Sequence, residues 1–94
     1  MEDKPLLMPA HAWMPPAYGL GDITAIQALA NGTADAAQQK RALKWIIHQV
    51  CCTYDLSYRP GENSETVFAE GKRFVGLQLV KALHLNTAAL KQLV

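Results

Sequence analysis

The side chains best suited to chemistry gather at one place. His48, Cys51 and Cys52 form a His-x-x-Cys-Cys run. On a helix, positions i, i+3 and i+4 share a face, so two of the three can ligate a soft metal. A full tetrahedral set would need His11 or His84, and neither has supporting spacing. Cys51 also falls on an apolar helical stripe, where cysteine serves as a small hydrophobe, and packing is the stronger reading. A disulfide between neighbours closes a strained ring, so no stabilising bridge is expected and the chain suits a reducing compartment. Ser57 and Ser64 sit in a loop without a nucleophile elbow. Glu65 and Glu70 are five residues apart, do not share a helix face squarely, and read as solvated charges. Gly71 and Gly76 flank Lys72-Arg73, but no strand precedes them, so they form no phosphate loop. We therefore expect no catalytic residue, no cofactor and no metal.

Two constellations remain, and both concern partners. Lys40, Arg41 and Lys44 make the densest basic cluster, joined across a loop by Arg59. They are candidate nucleic-acid contacts. The competing reading is a solvated helix face, with local pairs such as Glu70 to Arg73 at i,i+3. Gly71 and Gly76 each cost about 1 kcal/mol relative to alanine inside a helix. They imply close approach of another group, either within the fold or at a subunit interface. Trp13 and Trp45 are the best aromatic anchors, since tryptophan is enriched in interface hot spots.

The elements that hold these residues are all helical. Ile23, Ile26, Leu29 and Ala30 recur at helical spacing behind Asp22 as an N-cap, and Asn31-Gly32 ends that helix. Thr33 caps a second helix over 34–54, with Ala36, Leu43, Ile46, Ile47, Val50, Cys51 and Tyr54 on its apolar stripe. Pro60-Gly61 is turn chemistry, and Asn63 or Ser64 caps a third helix over 65–84. Asn86 caps a short helix over 87–93. Strand signals are absent. The expectation is an all-α fold: an antiparallel two-helix hairpin of 34–54 and 65–84, with short flanking helices.

Residues 1–21 read differently from the domain at 22–94. They hold four of the five prolines (Pro5, Pro9, Pro15, Pro16), so helix cannot persist there. Yet Leu6, Leu7, Met8, Trp13, Met14, Tyr18 and Leu20 make the segment sticky. This predicts an extended Pro-rich arm of roughly 65 Å reach, ordered by contact with another chain, with Trp13, Met14 and Tyr18 as anchors. At 94 residues a single core is thin, which also favours a homo-oligomer. The net charge of +1 is low for a lone duplex-DNA binder. No apolar run is long enough to span a membrane. The acidic start Met1-Glu2-Asp3-Lys4-Pro5 lacks the basic region of a signal peptide.

The segment Tyr54-Asp-Leu-Ser-Tyr-Arg-Pro-Gly is followed by Phe68-x-Glu70-Gly71-x-Arg73-x-x-Gly76-Leu77. Over residues 36–94 this resembles a family of small tailed-bacteriophage proteins typified by a product of a Bordetella podophage. The resemblance implies a non-enzymatic structural component of a virion, made in the bacterial host cytoplasm and placed near the portal or inside the head. It implies other phage structural proteins as partners, the portal protein foremost. Phe68, Gly71 and Gly76 are then candidate interface residues. The alternative function is a DNA-packaging accessory of the small-terminase kind, with Lys40, Arg41 and Lys44 on DNA.

Overall fold

The computed structural model describes residues 11–93, and every regular element in that range is helical. Helix α1 spans Leu20–Ala30, α2 spans Ala36–Trp45 and runs on as a π-helical turn over Ile46–Val50, α3 spans Asn63–His84 and α4 spans Thr87–Leu93. Leu6, Leu7, Met8 and the first two arm prolines lie outside the described residues.

The cap of helix α1 falls three residues before the expected one. Gly19 is its N-cap, and Asp22 sits in the first turn with its Oδ2 accepting the Gly19 N–H at 2.9 Å. That placement still satisfies an orphan backbone donor and puts a carboxylate at the positive end of the helix. Gly32, at φ 72°, reverses the chain as expected. Asp35, not Thr33, caps α2: its Oδ1 accepts the Gln38 N–H at 2.8 Å, and Gln38 Oε1 accepts the Asp35 N–H at 3.1 Å. This is a reciprocal capping box. Thr33 instead donates its hydroxyl to the Ala28 carbonyl. At the far end Asn86 Oδ1 accepts the Ala89 N–H at 3.1 Å and starts α4.

The second helix is not one α-helix to Tyr54. Its last turn widens, and the Cys51 N–H reaches the Ile46 carbonyl five residues back at 2.9 Å. Cys52 then takes a left-handed conformation at φ 49° and turns the chain out of the helix. Thr53, completely buried, closes that exit: its N–H and its hydroxyl both donate to the Ile47 carbonyl, at 3.1 and 2.7 Å.

Helix α2 packs mainly on α1, while α3 touches the helical body at the π-helical turn and not along α2. Ala25 and Ala42 are buried to 1% and 0%, and such small side chains let α1 and α2 approach closely. The expected pairing of 34–54 with 65–84 is therefore met only at its base. Beyond it the helices diverge around a groove of about 270 Å³ lined by Leu43, Ile47, Tyr54, Val80 and Leu83. The result is a flat plate, 46 × 41 × 18 Å, with a radius of gyration of 15.7 Å. A compact chain of this length would have about 12 Å.

Candidate interaction surfaces

The arm meets its own domain. Glu65 of α3 accepts the Ala12 N–H at 3.1 Å and pairs with His11 Nδ1 at 3.1 Å. Two turns along α3, Lys72 donates to the Ala12 carbonyl at 2.7 Å. Ala12 is thus held at both backbone groups and is 1% exposed. Further on, the Trp45 indole N–H of α2 donates to the Ala17 carbonyl at 3.0 Å. Residues 11–18 form a strap from α3 to α2, which hardly touch each other. This departs from an arm ordered only by another chain. Within the strap the Met14 N–H closes one turn on the His11 carbonyl at 3.1 Å. The prolines limit further pairing, and side chains of two helices supply the partners of Ala12 and Ala17. The three proposed anchors keep their side chains outward: Trp13 is 60%, Met14 37% and Tyr18 64% exposed. Trp13 stacks on His11, centroid to centroid 5.2 Å.

The strap creates a tuned carboxylate. Burial raises the Glu65 pKa, but the Ala12 N–H, the His11 side chain and the Arg59 charge outweigh it. The net effect holds Glu65 below the ordinary carboxylate value. Arg59 accordingly acts on Glu65 instead of joining the α2 cations, and its Nε is buried without a hydrogen-bond partner among the described residues.

The basic cluster splits by role. Arg41 Nε donates to Asp22 Oδ1 at 3.1 Å, tying α2 to α1. The pair needs Gly21, because a Cβ there would collide with the Arg41 guanidinium. Lys40 and Lys44 remain exposed on the rim of a cleft of about 500 Å³, whose wall also carries Arg41, Trp45 and His48. His48 extends the Lys40–Lys44 row by another i+4 step, a spacing readable in the sequence that composition alone hides. Its ring lies against Tyr54, centroids 5.0 Å apart.

The two glycines of α3 differ. Gly76 is buried, and a Cβ there would overlap Thr53 Oγ1 and stand 2.9 Å from Cys51 Cβ. Its role is packing within the chain. Gly71 is exposed, with no atom of the described residues within 4 Å of where a Cβ would be. Between them the Arg73 Nε donates to the Thr53 carbonyl at 3.1 Å, and Glu70 pairs with Arg73 at 3.7 Å and accepts the Ser57 hydroxyl. Glu70, Arg73 and Gly76 therefore fasten residues 51–58 to α3. Phe68 and Leu77, from the same sequence pattern, are 48% and 38% exposed.

The His48, Cys51, Cys52 group does not assemble as a ligand set. Cys51 and Cys52 are free and buried, Cys52 donating weakly to the Gln49 carbonyl, while His48 faces outward. Burial, then the neighbouring Cys52, raises the Cys51 thiol pKa against a smaller lowering by Lys72. Among the described residues no three His, Cys, Asp or Glu side chains gather as a metal site, and no helix is long and apolar enough to cross a membrane. Thr53, the residue on which the loop and α3 converge, was missed at sequence level because nothing about a lone threonine marks it as a hub.

Comparison with known proteins returns no matching family model, no matching curated protein and no matching solved structure.

Proposed function

We propose that this chain is a non-enzymatic structural subunit of a tailed-bacteriophage virion, working as a homo-oligomer near the portal or inside the head. One observation carries the subunit reading: among the described residues the largest side chain wholly removed from water is Thr53, while Val67, Phe74 and Val75 of α3 stay 71%, 62% and 53% exposed. A fold whose buried apolar residues, among those described, are four alanines, two cysteines and Ile47, with most of its large apolar groups outside, is completed by neighbours. The phage setting rests on the resemblance of residues 36–94, and the portal protein is the foremost partner it suggests. In this reading the helix-loop-helix of 34–84 is the building block. The Pro-rich arm braces it, with Trp13, Met14 and Tyr18 turned toward an adjacent subunit. The chain is made in the bacterial host cytoplasm and incorporated on assembly.

A second reading, a DNA-packaging accessory of the small-terminase kind, is favoured by the gathering of Lys40, Arg41 and Lys44 on one cleft. Mass spectrometry of particles purified from cells carrying the gene in its own phage genome separates the two. A virion subunit is found in mature particles. Its absence overturns the first reading, and absence together with salt-sensitive DNA binding by the purified protein establishes the second.

A further inference from the structure

Helix α3 carries a seam that no other described residue of the chain covers. Val67, Gly71, Phe74, Gln78 and Lys81 follow one another at steps of four, three, four and three residues. That alternation is the 3.5-residue period with which one helix meets another. At 100° per residue the seam lies opposite Ala69 and Gly76, the two residues by which α3 is buried in the fold. Phe68 and Val75 both lie about a quarter turn to one side of it. We propose that α3 pairs antiparallel with α3 of a second copy along this seam, each Phe74 seated over the partner's Gly71. The proposal rests on the assembly reading above and names its contact.

Three observations point to a second copy. First, Gly71 costs the helix about 1 kcal/mol, yet among the described residues nothing lies within reach of it. The glycine makes sense as a notch for an incoming side chain. Second, the matching knob, Phe74, stands one turn away on the same seam. A two-fold interface needs a surface complementary to itself. An axis crossing between residues 71 and 74 puts knob over notch twice. Third, direction follows from the helix ends and from the knob. Antiparallel pairing opposes the helix dipoles and seats Phe74 on Gly71, whereas parallel pairing sets like ends together and stacks Phe74 on Phe74. Val67 and Phe74 still expose on the order of 250 Å² per chain, so a pair covers about 500 Å² along the seam before its edges are added. That is a weak dimer contact, suited to repetition inside a larger assembly.

Sedimentation of the full chain from about 1 to about 200 µM tests this, with circular dichroism as the folding control. The wild type is expected to associate, and Phe74→Glu to raise the dissociation constant at least about tenfold with helicity unchanged. Gly71→Leu discriminates further. It adds apolar surface, so a merely sticky face binds more tightly, while a filled notch binds less tightly. Gly71→Phe with Phe74→Ala moves the knob to the notch and the notch to the knob, and is expected to restore what each single change loses. For direction, Ser64→Cys mixed with Lys81→Cys forms a mixed disulfide if the helices are antiparallel, whereas a parallel pair links Ser64→Cys to itself. A wild-type oligomer indifferent to Phe74→Glu, tighter association of Gly71→Leu, or self-linked Ser64→Cys overturns the pairing and leaves the assembly reading standing. A wild type that stays monomeric at every concentration overturns the pairing, and the assembly reading falls with it only if the chain is also missing from particles.

Discussion

Gly76 of α3 lies flat against the side chain of Thr53, with no room between them for even a methyl group. Thr53 is bonded on every polar side: its N–H and hydroxyl to Ile47, its carbonyl to Arg73. The hub cannot shift to admit a larger neighbour. Gly76→Ala is therefore expected to destabilise by about 2 kcal/mol through overpacking, lowering Tm by about 10 °C despite the gain in helix propensity. Gly71→Ala, measured at dilute concentration, is expected to raise Tm, since only propensity changes there. Equal responses of the two variants in thermal unfolding would contradict the assignment.

The strap is expected to loosen in acid. Glu65 has a depressed pKa in the folded chain, so its contribution is fully present above its unfolded value and is lost as pH falls through the folded one. Stability should therefore decline below about pH 4.5, with the Glu65 contribution gone at the lowest pH. The indole N–H resonance of Trp13, identified by its loss in Trp13→Phe, reads the release with Trp45 left in place. Glu65→Gln should already show the loosened signal at neutral pH.

Arg41 and its neighbours separate structure from binding. Arg41→Gln breaks the bridge to Asp22, a pair whose members are 43% and 10% exposed, and is expected to cost about 1 kcal/mol in urea unfolding. Lys40→Gln with Lys44→Gln should leave stability within about 0.5 kcal/mol. If the chain binds DNA, that double variant should flatten the dependence of affinity on salt by about two units of slope. An unchanged slope would remove the lysines from any nucleic-acid role.

The thiols should be inert in the native state. Cys51 is buried with a raised pKa, and thiolate is the reactive form. Reaction with a disulfide reagent at neutral pH is expected to follow unfolding, both thiols appearing together in denaturant. Rapid native labelling of Cys51 would show that residues 51–53 open locally.

Much of this was legible in the residues themselves. Helical periodicity, Gly32, Pro60-Gly61 and Asn86 mark all four helices, because caps and turns are local chemistry that acts over three or four residues. The Glu70–Arg73 pair follows from the same local spacing. What only the tertiary structure decided is which of two chemically identical signals does which job. Gly71 and Gly76 are equivalent in the sequence, yet one is filled by Thr53 and the other faces open space. Lys40, Arg41 and Lys44 form one basic cluster, yet Asp22, nineteen residues away, claims Arg41. The arm, sticky and proline-broken, gives no sign that Glu65, Lys72 and Trp45 are placed to receive its backbone. Each of these depends on a contact between residues far apart in the chain. Local propensity is blind to such contacts, which are set by how closely α1, α2 and α3 can approach.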